Sequence, residues 1–213
     1  MTSPNLTIIE HPLIAHKLTL MRDKNTTCLA FKQLLHEITL LMAHELTKDL
    51  PLTYTNITTP VTTTKAPVLK GRRPVIIPIL RAGLGMSEPL SSLIPDAEIG
   101  HIGVYRDEET HKPTQYLVKL PNNIHLSEAL LVDPMLATGG SANHCLNILN
   151  EQGVQDKHIK LLVLVSAPEG VDFIQKNHPE VQIYTAALDE KLNEQAFIHP
   201  GLGDAGDRIF GTL

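Results

Sequence analysis

The stretch LLVDPMLATGGSA, residues 130–142, places an acid directly after a short apolar run and just before a turn of small residues. The apolar run predicts a buried strand that ends at Asp133, and the residues from 141 onward predict a helix. Between them, residues 137–141 expose backbone N–H groups without bulky side chains, and the hydroxyls of Thr138 and Ser141 add further donors. Because a helix N-terminus favours negative charge, this turn predicts a phosphate-binding loop; an ordinary tight turn with a helix cap is the alternative.

The acid at Asp133 suggests what the phosphate belongs to. Its carboxylate can accept hydrogen bonds from the vicinal hydroxyls of a sugar whose phosphate lies in the loop, so the stretch favours recognition of ribose 5-phosphate. The sequence is not a nucleotide P-loop, because GxxxxGK[ST] does not occur, and it does not follow the GxGxxG pattern either.

Residues 130–142 resemble the phosphoribosyl-pyrophosphate (PRPP) loop of the type I phosphoribosyltransferases. The resemblance is closest to their uracil branch, in which a proline, here Pro134, replaces the second of two adjacent acids. PILRAGLGM, residues 78–86, resembles the pyrophosphate-binding loop of that branch, and PGLGDAGDRIFGT, residues 200–212, resembles its uracil-binding C-terminus. Three separated motifs in the same order, over nearly the whole chain, make this resemblance specific.

The resemblance implies transfer of the 5-phosphoribosyl group of PRPP to uracil, a glycosyltransferase reaction that yields UMP and diphosphate with Mg²⁺ as cofactor. It implies catalytic roles for Arg81, Arg106, Asp133 and Asp204, and uracil binding by Ile198, Gly203, Asp204 and Ala205. Magnesium would be held through PRPP and water, near Asp204. The residues implied to bind PRPP are Arg81, Arg106, Asp133, Pro134, Met135, Leu136, Ala137, Thr138, Gly139, Gly140, Ser141 and Asp204.

The implied chemistry fits the residue types. An arginine presents a planar fork of donors to a pyrophosphate, which suits Arg81 at the end of a predicted strand and Arg106 at the start of a predicted hairpin. Displacement at the anomeric carbon needs positioning and charge stabilisation more than a nucleophile, and the sequence contains no convincing catalytic triad. For the neighbours Asp207 and Arg208 we expect a structural pair.

The elements that must position these residues are predicted by apolar runs. Strands buried on both faces are predicted at 74–80, 98–105, 129–132, 160–167 and 183–188, with helices notably at 141–152 and 169–177. This alternation predicts an α/β fold with a mostly parallel sheet flanked by helices, as in the type I phosphoribosyltransferases. Residues 107–120 predict a protruding hairpin arm, either a surface loop or a lid.

The remaining segments suggest how the chain is organised. Residues 26–49 predict a helix with apolar residues on more than one side, which either a subunit interface or the chain itself could cover. We therefore expect a homodimer or higher homo-oligomer. The whole chain, 1–213, is interpreted as one domain: N-terminal helices and an extended arm (1–70), the α/β core (71–190) and a uracil-binding C-terminal hood (191–213).

Composition limits the alternatives. A net charge of −5 and 4% aromatic residues argue against a nucleic-acid-binding face, and so against an RNA-binding regulator with this fold. An inactive scaffold or an enzyme for another base is disfavoured by the intact motifs. No signal-peptide core or membrane-length apolar run occurs, so we expect a cytoplasmic protein that binds no membrane, with Cys28 and Cys145 as packed, reduced thiols. The resemblance also suggests GTP as an effector, without locating its site.

Overall fold

A computed structural model of the chain describes residues 5–106 and 113–212. Its helices and strands are, in chain order, β1 (Leu6–Ile8), α1 (Pro12–Arg22), α2 (Cys28–Thr47), β2 (Leu52–Thr58), β3 (Thr63–Leu69), β4 (Val75–Leu80), α3 (Leu84–Leu93), β5 (Glu98–Ile99), β6 (His101–Arg106), β7 (Pro113–Lys119), β8 (Ala129–Leu136), α4 (Gly140–Glu151), β9 (Ile159–Ser166), α5 (Pro168–Asn177), β10 (Gln182–Leu188), β11 (Lys191–Leu192), β12 (Ile198–His199) and α6 (Ala205–Phe210).

The main sheet has the strand order β1–β10–β9–β8–β4–β6–β7, and the short β5 also pairs with β4. Within the described residues these neighbours run parallel, except that β6 and β7 form an antiparallel hairpin. The predicted α/β fold with a mostly parallel sheet is therefore confirmed. Such a sheet brings the carboxyl ends of its strands to one edge, where loops from distant parts of the chain can meet.

Two hydrophobic cores cover the two faces of this sheet. Ile76 and Leu130 belong to the core shared with α1, α2, α3 and α6, whereas Ile77 and Leu131 belong to the core shared with α4 and α5. Successive side chains of a strand point to opposite faces, so a continuous apolar run fills both cores. This is why the buried strands are readable from the sequence.

Helix α2 agrees with the helix predicted at 26–49. Thr27 caps its start, since the Thr27 hydroxyl accepts a hydrogen bond from the N–H of Ala30 at 3.3 Å. Phe31 and Leu35 are fully buried in the core, whereas Leu29 is 78% exposed. The inner face of α2 thus packs within the chain, and an apolar residue remains on its outer side.

Other elements differ from the sequence prediction. Strand β8 does not end at Asp133 but continues to Leu136, so Asp133 lies inside the strand, paired with Val163 of β9. The predicted strand at 98–105 is interrupted at Gly100, and β1 was not predicted; α1 is one of the N-terminal helices expected within 1–70, for which no bounds were predicted.

Two hairpins extend from the fold. Strands β6 and β7 pair as an antiparallel hairpin, which confirms the hairpin predicted for the arm. Residues 107–112, which come between the two strands, lie outside the described residues. Strands β2 and β3 pair only with each other among the described residues, and every residue of β2 is exposed. None of the described helices is both long enough and apolar enough to cross a membrane.

Candidate active site

A cavity of about 350 Å³ lies beside the carboxyl end of β8. Three stretches of chain surround it: β8 from Asp133 onward, the turn into α4, and residues 195–198 of the C-terminal segment together with Asp204. Of the predicted site residues, the cavity lining brings together Asp133, Met135, Leu136, Ala137, Thr138, Gly139, Gly140, Ser141, Ile198 and Asp204.

The predicted phosphate loop forms one wall of the cavity. Gly139 adopts a left-handed conformation (φ +81°) at the N-terminus of α4 and provides no side-chain cap. The N–H of Gly140 has the Thr138 hydroxyl as a distant acceptor at 3.4 Å. The first amides of a helix lack carbonyl partners within the helix, so the start of α4 offers donors and a positive dipole end to an anion.

Helix α5 supports this loop from behind. A Cβ at Gly170 would lie 2.3 Å from the carbonyl oxygen of Ala137 and 2.9 Å from that of Leu136, and one at Gly139 would lie 2.9 Å from Phe173. The Ala167 N–H also donates to the Leu136 carbonyl at 2.9 Å. The loop is therefore packed directly on the start of α5, a contact that the sequence signals only by the glycine at position 170.

Asp133 and Asp204 are the two carboxylates that line the cavity. Asp133 keeps some exposure through the opening, yet the protein surrounds it closely, and this burial raises the pKa of the Asp133 carboxyl to about 7. A hydrogen bond from the Met135 backbone opposes this rise, and the charge of Asp204 adds to it. Burial also raises the pKa of the Cys145 thiol on α4, as expected for a packed cysteine.

The predicted pyrophosphate loop follows β4. Its Leu80–Arg81 peptide bond is cis, and a Cβ at Gly83 would lie 2.4 Å from the carbonyl oxygen of Val132 on β8. The Arg81 side chain is not among the residues that line the cavity; its guanidinium lies 5.6 Å from the ring centre of Phe210. Arg106 is the last residue of β6, and its side chain lies outside the described part of the structure.

The C-terminal segment closes the cavity opposite the phosphate loop. Ile198 lies in its lining, accompanied by Gln195, Ala196 and Phe197, which sequence reasoning missed because this turn carries no recognisable motif. Gly203 is exposed and Ala205 is buried at the start of α6, and neither belongs to the lining.

Asp204 is the N-cap of α6, because its carboxylate accepts a hydrogen bond from the N–H of Asp207 at 2.9 Å. The expected pair of Asp207 with Arg208 is wrong. The Arg208 guanidinium instead donates to the backbone carbonyls of Met21, Leu202 and Asp23. Consecutive residues on a helix do not face each other, which explains the error.

The cavity suits a magnesium ion that arrives with a ligand. Within residues 5–106 and 113–212, no cluster of three or more His, Cys, Asp or Glu side chains could hold a metal ion by itself. Asp133 and Asp204 nevertheless line the same cavity, and the charge of Asp204 makes Asp133 harder to ionise. Mg²⁺ is commonly bound through one or two carboxylates, phosphate oxygens and waters, so the two acids fit that ion.

A larger cavity, of about 580 Å³, lies elsewhere, beside the starts of β4, β8 and β9. Its lining includes Lys70, Arg72 and Lys157 but none of the predicted site residues. Volume alone would favour this cavity as the candidate active site, whereas Asp133, Asp204 and the predicted phosphate loop favour the smaller one.

Comparisons with known proteins agree with this geometry. The family model described as uracil phosphoribosyltransferase matches residues 8–212. A protein of that name from Ralstonia pickettii is 55% identical over 209 residues, which cover 98% of this chain and 96% of that protein. Another from Oceanobacillus iheyensis is 52% identical, with coverages of 98% and 99%. The solved structure of the AQ2163 protein from Aquifex aeolicus matches with a TM-score of 0.87 at 33% identity, over 96% of this chain and 97% of that one.

Proposed function

Since the chain belongs to the uracil phosphoribosyltransferase family, we propose that the cavity between the phosphate loop and the C-terminal segment is its active site. The enzyme transfers the 5-phosphoribosyl group of PRPP to uracil and releases UMP and diphosphate. The observation that carries our assignment of residues is the single cavity lined by Asp133, residues 135–142, Ile198 and Asp204.

The 5′-phosphate of PRPP binds, in our proposal, to residues 137–141. The uncapped start of α4 and the left-handed Gly139 support this role, because the backbone amides there can approach an anion closely. Thr138 and Ser141 lie in the same wall and add hydroxyl donors. Met135 and Leu136 of β8 also line the cavity and complete the PRPP site; Pro134, proposed with them, is not among the lining residues.

Asp133 is assigned to the ribose hydroxyls. Its ionised form is the better acceptor, whereas burial favours the neutral form in the absence of PRPP. A bound cation on the pyrophosphate side would restore the charged form.

Uracil is assigned to the opposite wall. Ile198 and Asp204 line the cavity, and Gly203 and Ala205 flank Asp204 at the start of α6. This arrangement supports a role for the backbone groups of the segment in reading the carbonyls and N–H groups of the base. Cytosine exchanges one acceptor for a donor and would leave a group unpaired, which a site of this kind rejects.

Arg81 and Arg106 are assigned to the pyrophosphate leaving group, with Mg²⁺ as the cofactor. When bound, Mg²⁺ supplies neutralising charge for the pyrophosphate. Arg81 is the first residue after β4, and the turn that follows packs at Gly83 on Val132 of β8, the residue before Asp133, which supports this assignment. The arginines bind the leaving group and hold it in position while uracil attacks the anomeric carbon from the opposite face.

We also propose a homodimer or higher homo-oligomer that works in the cytoplasm. The exposed strands β2 and β3 carry apolar side chains, Leu52, Tyr54, Ile57 and Val68 among them, which a second copy of the chain would cover. Free Cys28 and Cys145 suit a reducing compartment. GTP is proposed as an effector on the family resemblance alone. Light scattering tests the assembly, and rates of UMP formation with and without GTP test the effector.

The central experiment mixes the purified protein with PRPP, Mg²⁺ and one base at a time: uracil, cytosine, hypoxanthine or adenine. We expect UMP from uracil and no nucleotide from the other three bases. Formation of another nucleotide in place of UMP would overturn the assignment of the base. The Asp133→Asn variant, assayed with uracil, tests the assignment of the cavity, which fails if turnover and PRPP affinity are both unchanged.

A further inference from the structure

Arg22, the last residue of α1, connects that helix to the C-terminal segment. Its guanidinium donates to both carboxylate oxygens of Asp189, at 2.5 and 2.8 Å, and to the carbonyl oxygen of Gly201, at 2.5 Å. The Asp189 side chain is only 5% exposed. A bidentate arginine–carboxylate pair of this kind fixes the relative orientation of the two side chains as well as the distance between them.

The same pair holds Gly201 from two sides. The Gly201 N–H donates to Asp189 at 2.9 Å, while the Gly201 carbonyl accepts from Arg22 at 2.5 Å. Gly201 has φ +60°, and a Cβ there would lie 2.1 Å from the carbonyl oxygen of Ile198. Both backbone groups of this glycine are thus satisfied by one ion pair, and its conformation leaves no room for a side chain.

A second arginine holds the next residue. Arg208 donates to the carbonyl oxygens of Leu202, at 2.9 Å, and of Met21, at 2.6 Å, and its guanidinium lies 4.5 Å from the ring centre of Phe31. Residues 200–204 belong to no helix or strand. Their position therefore depends on these side-chain contacts and on the short strand β12 before them.

We propose that Arg22 and Asp189 are positioning residues for uracil: they act through Gly201 to set the backbone at residues 203–205. This inference rests on the proposed function, which assigns uracil to Ile198, Gly203, Asp204 and Ala205. Arg22 and Asp189 do not line the cavity, so they act through the segment and not on the substrate. The phosphate loop packs instead on the start of α5, through contacts of Gly170 and Phe173 that involve neither Arg22 nor Asp189.

The experiment compares Arg22→Gln and Asp189→Asn with the matched control Lys17→Met. Lys17 lies on the same helix and forms an ion pair with Glu37 of α2 at 2.5 Å, away from the C-terminal segment. For each variant, KM for uracil, KM for PRPP, kcat and the thermal midpoint are measured. We expect KM for uracil to rise at least about tenfold in both test variants, because a misplacement near 1 Å is costly at an active site. KM for PRPP should rise by a clearly smaller factor, because of residues 203–205 only Asp204 is also assigned to PRPP, and Lys17→Met should leave both KM values near those of the unmodified protein.

Arg22→Lys keeps the charge and loses the planar fork, and we expect its KM for uracil to lie between those of Arg22→Gln and the unmodified protein. If Arg22→Gln does not fold, Arg22→Lys and Asp189→Asn still decide the question. Equal changes in KM for both substrates, or a lower thermal midpoint with unchanged KM for uracil, would overturn the positioning role. Failure of the proposed function is a separate result, seen as an unmodified protein that makes no UMP or an Asp133→Asn variant that keeps normal turnover.

Discussion

Replacing Asp133 by asparagine should remove most of the turnover and at the same time make the protein more stable in alkaline solution. The carboxyl has an ordinary pKa of 3.8, which burial raises to about 7 in the folded protein. Between these two values the folded protein retains a proton at Asp133 that the unfolded chain has released. The stabilisation from this proton is complete below pH 3.8 and is lost as the pH rises through about 7.

The size of the effect follows from the pH range between the ordinary and the raised pKa of Asp133. Each pH unit within this range changes the free energy of unfolding by about 1.4 kcal/mol. A change from pH 5 to pH 8.5 covers about two units of the range, from pH 5 to about pH 7, and costs at most about 2.7 kcal/mol. Asp133 is partly exposed to water in the cavity, which reduces this figure to about 2 kcal/mol. Asparagine does not titrate, so the variant avoids this loss. Turnover should fall at least about 100-fold, since the amide cannot supply the charge that stabilises the reacting sugar.

Urea unfolding followed by circular dichroism at pH 5, 6, 7 and 8.5 measures the difference between variant and unmodified protein. Groups that titrate in both proteins cancel in this difference. Asp172, exposed on α5, provides a matched Asp→Asn control that should change the free energy of unfolding by less than about 0.5 kcal/mol at any pH. A difference for Asp133→Asn that is the same at all four pH values would refute the reasoning about burial, and normal turnover would refute the assignment to ribose.

Two further substitutions test the loop and the fold. Gly170→Ala places a Cβ 2.3 Å from the carbonyl oxygen of Ala137, so the phosphate loop must shift. We expect the free energy of unfolding to fall by about 1–3 kcal/mol and KM to rise more for PRPP than for uracil. Unchanged kinetics would contradict this packing. Thr27→Ala removes the cap of α2 and should lower the free energy of unfolding, measured in urea, by about 1 kcal/mol. Both KM values should stay unchanged. A change in either KM would show that this helix end contributes to the site.

The sheet was predictable from the sequence because its strands are buried on both faces. Ile76 and Ile77, or Leu130 and Leu131, contribute to opposite cores, and such continuous apolar runs are easy to detect. The turn before α4 was predictable for a different reason, since small residues between a buried strand and a predicted helix favour a tight turn there. The bounds of α1, one of the expected N-terminal helices, could have been found from Pro12 and the spacing of its buried residues, whereas β1 is three residues long and gives no signal.

Strand β8 illustrates what the sequence conceals. The apolar run stops before Asp133, so the predicted strand ended there, and a proline at 134 is unusual in a central strand because proline lacks the N–H that the second neighbour needs. In the structure, pairing of β8 with β4 ends at Val132, and beyond it β8 pairs with β9 at Asp133, Met135 and Leu136. Pro134 therefore occupies a stretch with one free side. Whether a strand has one neighbour or two at a given residue is a property of the whole sheet, which local sequence does not report.

The contact of Arg22 with Gly201 joins residues that are 179 positions apart. The chain must therefore be synthesised at least as far as Gly201 before the wall assigned to the base can assemble, whereas the predicted phosphate loop lies between adjacent elements and can take shape earlier. A nascent chain would acquire its two halves of the pocket at different times, first the half assigned to the sugar donor and last the half assigned to the base.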